Sequence, residues 1–173
     1  MKGWQALDHK LTSILFRIGN QTKPFWIFWS QFGFLLLVAL TILVCWQWND
    51  LMILPFAADI TVFAFFITVI LQEILRRHRP TEELHGAYHA LLLKWSFPSA
   101  HAATAFSWAA TFVFGLWRLT LVIGPHHLFV MGGAILLAGL ISISRVFLGV
   151  HHIFDVIAGA LLGIVLSVIL ISL

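Results

Sequence analysis

Apolar runs long enough to cross a lipid bilayer dominate this chain, and they leave it few folds to choose from. Such runs occupy roughly residues 24–47, 51–75, 98–117, 128–144 and 152–173. A membrane-spanning helix needs about 20 apolar residues, a spanning strand only about 9–11. Inside hydrocarbon every backbone polar group has to be satisfied within the protein. The lengths therefore predict helices. Of the 173 residues, 61% are hydrophobic and only 10% are charged; soluble domains run near 45–50% and 25%. The expected fold is all-α: a polytopic membrane helix bundle with five spans and an N-terminal interfacial amphipathic helix, six helices in one domain covering 1–173.

Along the chain, residues 4–19 set Trp4, Leu7, Leu11, Ile14, Leu15 and Ile18 against Asp8, Lys10 and Arg17, an amphipathic pattern suited to the interface. Pro24 opens the first span, and Trp26, Trp29, Trp46 and Trp48 edge it as interfacial anchors. An Asn49-Asp50 turn precedes the second span, and a polar segment from Arg76 to Phe97 follows it, holding four of the ten basic residues. Pro98 opens the third span at a position suited to the first turn of a helix. In the last span Gly159 and Gly163, with Ala158 and Ala160, form a small-residue stripe for close helix packing. Counting spans alternately brings segment 76–97, the start of the third span, the 145–151 turn and the N-terminal helix to one end of the bundle.

The net charge of +3 and pI near 9.5 do not point to nucleic acid, because the cations sit sparsely at span ends, where topology and an anionic substrate explain them. Cys45 lies inside an apolar run, so no disulfide framework exists. Residues 1–20 lack the uninterrupted apolar core and cleavage site of a signal peptide.

Three clusters face the polar end. Arg76-Arg77-His78-Arg79-Pro80 reads, by itself, as positive-inside punctuation. Phe97-Pro98-Ser99-Ala100-His101 brings small residues and a helix N-terminus together, where backbone N–H groups and the helix dipole favour an anion. The third runs from Ser144 to Asp155. If a helix starts near Gly149, His151 and Asp155 stand at i and i+4 on one face, close enough to hydrogen-bond. An acid on one imidazole nitrogen fixes the tautomer and leaves the other free to attack or carry a proton. Arg145, six residues before His151, can be folded back by a turn as a planar anion clamp. A structural Arg–Asp pair capping two helices is the plainer reading of the same residues. Ionisable groups at membrane depth are costly and mark function by default. An anion, an activated histidine and a membrane together point to phosphoryl transfer on a lipid.

In the order Arg79-Pro80, then Pro98-Ser99-x-His101, then Ser144-Arg145-x5-His151-x3-Asp155, the chain resembles the type 2 phosphatidic acid phosphatase superfamily, whose site is shared with acid phosphatases and vanadium haloperoxidases. The resemblance implies that His151 is the nucleophile forming a phosphohistidine and that Asp155 orients it. It further implies that His101 protonates the leaving oxygen and then activates water, while Arg79, Arg145, Ser99 and the Ala100 N–H hold the phosphate oxygens. Two positions depart from the family pattern. Ala100 stands where Gly is usual, and Gln72 stands where a Lys usually opens the first motif. Arg76, one turn beyond Gln72, or Lys94 is expected to supply the missing charge.

No metal and no cofactor are expected, since two arginines, a hydroxyl and helix-end N–H groups suffice for charge stabilisation. His85 and His89, at i and i+4, could hold a metal or touch a headgroup. His126 and His127 fall at the opposite end, Asp59 is expected to face the bundle interior, and His152 reads as structural.

The expected activity is an integral membrane lipid phosphatase acting on a phosphate or pyrophosphate monoester. Phosphatidylglycerol phosphate, phosphatidic acid, undecaprenyl pyrophosphate and the lipid A 1-phosphate are the candidate substrates. A lipid phosphotransferase would use the same covalent intermediate, and a His-rich membrane transporter is the reading from another class. The expected partners are the phosphorylated lipid and membrane lipids, with no nucleic acid and no obligate protein partner. All basic residues except Arg118 fall on the site's side, which the positive-inside rule would make cytoplasmic. Family habit instead places the site on the periplasmic or external face of a bacterial inner membrane, and that is the expectation here.

Overall fold

A computed structural model of the chain describes residues 3–48, 51–80, 94–119 and 125–173. These form six helices and, among the described residues, no strand: α1 (Gly3–Gln21), α2 (Lys23–Gln47), α3 (Ile53–Leu75), α4 (Ala100–Leu119), α5 (Pro125–Phe147) and α6 (Ile153–Ser172). Four of them, α2, α3, α5 and α6, are long and apolar enough to cross a membrane. The chain is a multi-pass membrane protein.

The remaining 20-residue helix, α4, packs against α3, α5 and α6 and touches α2. Its composition follows from that place. Ala102, Ala103, Ala105, Ser107, Ala109 and Thr111 are buried there, and small residues let neighbouring backbones approach. Gly159 and Gly163 of α6 complete the contact, for a Cβ at either would run into the Ser99 or Ala103 carbonyl. Away from the site, Leu37, Cys45, Trp108, Phe112, Ala134 and Ile141 are among the residues of the main core. The buried indole of Trp108 is satisfied by Thr41 Oγ1 at 3.0 Å.

Outward faces carry the apolar bulk expected of lipid-facing helices: Leu43, Phe56, Phe66, Phe129 and Leu136 are all exposed. α1 follows the same rule. Its Trp4, Leu7, Leu11, Ile14 and Ile18 point out, while Asp8, Thr12 and Gly19 turn inward. Gly19 meets Phe147 at the end of α5, and Trp26 stacks on the same Phe147 ring at 4.1 Å. At the other end Trp48 packs on His127 at 4.6 Å, which places the 126–127 pair away from the polar cluster as anticipated.

Asp59 departs from expectation. The buried stripe of α3 runs through Ile53, Ala57, Ile60, Ala64, Thr68 and Gln72, and Asp59 falls off it onto the exposed face. The 49–50 turn and the His85/His89 pair lie outside the described residues.

Candidate active site

The turn joining α5 to α6 sets the geometry. α5 ends at Phe147, and the N–H groups of Val150 and His151 both donate to the Arg145 carbonyl, at 3.0 and 3.2 Å. Folding two successive amides onto one carbonyl requires Gly149 at φ 69°, a conformation that glycine adopts without steric cost. His152 is extended, and α6 starts only at Ile153.

His151 therefore stands ahead of the helix that carries Asp155, and the anticipated i,i+4 face does not form. Its Nδ1 lies 3.7 Å from Asp155 Oδ2, too far for a hydrogen bond. The Ser96 carbonyl takes that role at 2.8 Å. A carbonyl only accepts, so Nδ1 carries the proton. Arg79 Nη1, which only donates, sits 3.1 Å from Nε2. Both contacts select one tautomer, with the lone pair on Nε2. Burial pushes the His151 imidazole down from 6.5 to about 4; Asp155 works against this, and Arg79 and Arg145 add to it. His151 is neutral at physiological pH.

Asp155 is fully buried, and its oxygens are taken elsewhere. Oδ2 accepts the His152 N–H at 2.8 Å, closing the first turn of α6, where a carboxylate also suits the helix dipole. Oδ1 accepts Arg77 Nη1 at 2.6 Å. The other arm of Arg77 reaches Asp8 Oδ2 on α1 at 2.7 Å. α1 also caps α6 directly: Ile153 N–H donates to Thr12 Oγ1 and Phe154 N–H to Asp8 Oδ1, both at 3.3 Å. Two donors that a helix N-terminus leaves without intrahelical partners are thus satisfied from another helix.

The remaining cations converge on His151. Arg79 also donates to the Val150 carbonyl at 3.1 Å. Burial lowers the Arg79 guanidinium from its ordinary value, Asp155 opposes that, and it stays charged. Arg145 is buried at the end of α5 and donates through Nη1 to Ser30 Oγ of α2. His101, in the first turn of α4, lies within electrostatic reach of Arg145, His151 and Arg79. It lines a cavity of about 260 Å³ with Ser30, Phe34, Phe65 and Ile141. Ser99 and Ala100 are buried at the same helix start. The Ser99 N–H is held by the Asp155 carbonyl at 2.9 Å, and its hydroxyl has no hydrogen-bond partner among the described residues. On the outer side, Trp4, His9, Arg77, Arg79, Phe97 and His152 line a cavity of about 590 Å³.

Gln72 is buried, yet it is a tie rather than a cation substitute: Nε2 donates to the Pro98 carbonyl at 2.6 Å and so holds the start of the second motif. Arg76 does not take the missing lysine's place. The helix ends at Leu75, Arg76 turns left-handed at φ 48°, and its Nε donates to the Glu73 carbonyl on the exposed surface. That reversal sends Arg77, one residue later, inward. Lys94 is also exposed, 4.8 Å from the Trp95 ring centroid.

A family model described as the PAP2 superfamily matches residues 56–173. The chain belongs to the PAP2 superfamily. The undecaprenyl-diphosphatase of Sulfolobus acidocaldarius is 34% identical over 111 residues, covering 59% of this chain and 48% of that protein, so the chain spans about half the length of this curated relative. A crystal structure of the first transmembrane PAP2 type phosphatidylglycerolphosphate phosphatase, from Bacillus subtilis, superposes with a TM-score of 0.71 at 22% identity, over 99% of this chain and 86% of that one. Aquifex aeolicus LpxE gives 0.59 at 22% identity over 95% and 94%. At these identities the two structures speak for the PAP2 fold.

Four residues around this PAP2 site were not singled out as site residues in the sequence: Ser96, Arg77, Asp8 and Ser30. Asp8, a carboxylate on the polar face of an amphipathic helix, and Arg77, inside the basic cluster after the second span, carried the available signals.

Proposed function

We propose that this chain is a membrane lipid phosphatase that hydrolyses a phosphate or pyrophosphate monoester through a phosphohistidine at His151. The observation that carries the reading is the buried, neutral His151, with Nδ1–H on the Ser96 carbonyl and the Nε2 lone pair among Arg79, Arg145 and His101. Nε2 attacks phosphorus, and the bond to the lipid oxygen breaks as His101 protonates that oxygen. Arg79, Arg145, the Ser99 hydroxyl and the Ala100 N–H stabilise the equatorial oxygens. His101 then takes a proton from water, which displaces His151 and releases phosphate. Asp155 stabilises the charge that develops on the imidazole while it holds the first turn of α6.

The lipid class of the substrate rests on the apolar exterior around the site and on the likeness to an undecaprenyl-diphosphatase and a phosphatidylglycerolphosphate phosphatase. The panel is phosphatidylglycerol phosphate, phosphatidic acid, undecaprenyl pyrophosphate and the lipid A 1-phosphate. α4 is the fifth span in this reading, less apolar because its neighbours shield it, and α1 lies in the interface. The whole chain is one domain in a bacterial-type inner membrane, with the site on the external or periplasmic face.

The test is phosphate release from that panel by detergent-solubilised protein, with acid-quenched samples probed for acid-labile phosphohistidine. His151→Ala should abolish both signals while the protein remains monodisperse. Activity above about a hundredth of wild type in that variant would sink the nucleophile assignment.

A further inference from the structure

We propose that the seam between α1 and α6 binds an anionic diacyl phospholipid of the bilayer, with its headgroup phosphate beside Arg76 and one acyl chain lying along α6. The occupant is a phosphodiester without a terminal phosphate, so it is not a substrate of the monoester reaction.

Two hollows meet at this seam. The outer one, of about 590 Å³, has Arg76, Arg77 and Arg79 in its wall beside His9 and His152, and among the described residues no carboxylate lines it. Two of these cations are committed elsewhere. Both Nη atoms of Arg77 go to Asp155 and Asp8, and Arg79 is turned toward Val150 and His151. Arg76 is tied through Nε to the Glu73 carbonyl, and among the described residues its two Nη groups have no partner. They form a charged fork suited to the oxygens of a phosphate.

The second hollow, of about 440 Å³, is apolar: Phe154, Ile157, Ala158 and Leu161 of α6 line it with Trp4 and Phe97. On α6 these four residues fall at i, i+3, i+4 and i+7, a single helix face. Ala158, small among three large side chains, makes the floor. From Phe154 to Leu161 the helix rises about 10 Å, so the trough descends from the polar end into the acyl layer.

Trp4 and Phe97 line both hollows, which makes them continuous. A basic chamber opening onto an apolar trough has the shape of an anionic amphiphile. Trp4 marks the boundary. Its ring meets Phe154 edge-on at 6.2 Å, and the Arg77 guanidinium lies 5.8 Å from its centroid. An indole with one apolar and one cationic side belongs at headgroup level. A zwitterionic headgroup brings its own cation to Arg76, whereas phosphatidylglycerol brings none. The bound lipid would brace α1 on α6 at the turn where Thr12 and Asp8 cap the helix amides. Trp4 and His9 precede residue 56, where the family match begins, so the α1 half of this site belongs to the chain's own N-terminal helix.

The test is thermal melting of the full chain in neutral detergent, titrated with phosphatidylglycerol or with phosphatidylcholine of the same acyl chains. Phosphatidylglycerol should bind about tenfold tighter, the worth of one charge-assisted hydrogen bond. At about 100 times its Kd it should raise Tm by about 5–10 °C. Arg76→Ala should erase the preference. Ala158→Phe fills the trough and should weaken both lipids. Lys10→Ala removes an exposed cation of α1 outside the cavity and should change neither. His151→Ala should bind as wild type does, so a failed nucleophile assignment would leave this result intact. Equal affinity of the wild type for the two lipids would overturn the proposal, as would a preference that survives Arg76→Ala or undiminished affinity in Ala158→Phe. Two other results would also defeat it. Displacement of phosphatidylglycerol by vanadate would put the headgroup on His151, and an equal loss in Lys10→Ala would reveal only general surface charge.

Discussion

Gly159→Ala is a one-carbon change that should separate activity from stability. The new Cβ would lie 3.1 Å from Ala102 Cβ and 3.2 Å from the Ser99 carbonyl carbon, and closer still to the Ser99 oxygen. Because the obstruction is backbone, no rotamer change relieves it. Restoring an ordinary C···O separation of about 3.3 Å needs α4 and α6 to part by on the order of 1 Å. Overpacking of this kind costs about 1–3 kcal/mol, and the better helix propensity of Ala returns about 0.5–1 kcal/mol. The net loss of stability is therefore small, on the order of 1 kcal/mol. Activity should suffer far more. The displaced atoms belong to Ser99, whose N–H is tied to the Asp155 carbonyl, so the second motif moves relative to His151. A 1 Å misplacement costs on the order of 10²-fold in rate. The assay pairs phosphate release with thermal melting in detergent, using Gly139→Ala as control, since nothing stands within 4 Å of a Cβ there. The control should keep full activity. Gly159→Ala with wild-type kcat would refute the claim that this helix contact places the site.

Three further outcomes are expected. His151 has a folded value near 4 against 6.5 when exposed, so the unfolded chain binds its proton first. Stability should then fall as pH drops from 6.5 toward 4, by about 3 kcal/mol; a melting curve that loses no more than His151→Gln across that window would contradict this. Arg76→Ala should show near-normal KM and kcat, whereas Gln72→Leu, which strips the Pro98 carbonyl of its buried partner, should cost about 1–3 kcal/mol and lower kcat; equal effects on both variants would count against the placement of the two side chains. Vanadate, whose trigonal-bipyramidal form mimics in-line attack at His151, should inhibit, and EDTA should leave activity intact; activity lost in EDTA and restored by a divalent ion would reverse that reading.

Much of the scaffold was legible from hydropathy alone, because a bilayer forces long apolar runs into helices. The run read as 128–144 became Pro125–Phe147, and the one read as 4–19 became Gly3–Gln21. The motif residues His101, Arg79, Arg145 and His151 do converge. What the sequence hid lies where helical periodicity stops. Extrapolating α3 past Leu75 put Arg76 beside Gln72, but a left-handed residue there exchanges the directions of Arg76 and Arg77. Starting α6 at Gly149 put His151 on Asp155, but the two amides gathered by the Arg145 carbonyl delay the helix to Ile153. Backbone carbonyls such as that of Ser96 carry no residue-type signal, so no motif could have pointed to the group that sets the His151 tautomer.

The caps on α6 also impose an order on biogenesis. Thr12 and Asp8 meet their amides 141 and 146 residues further along the chain. During synthesis α1 emerges before α6, and Thr12 and Asp8 can meet these amides only once α6 is inserted. Contacts of such separation form late, because loop closure precedes any gain from them. A nascent or truncated polypeptide with α1 to α5 in place holds Arg79, His101 and Arg145 but has neither His151 nor the Asp155 carboxylate and its caps. Assembly of the His151–Asp155 cluster therefore waits on insertion of α6, and a product stalled before it should release no phosphate from the phospholipids around it.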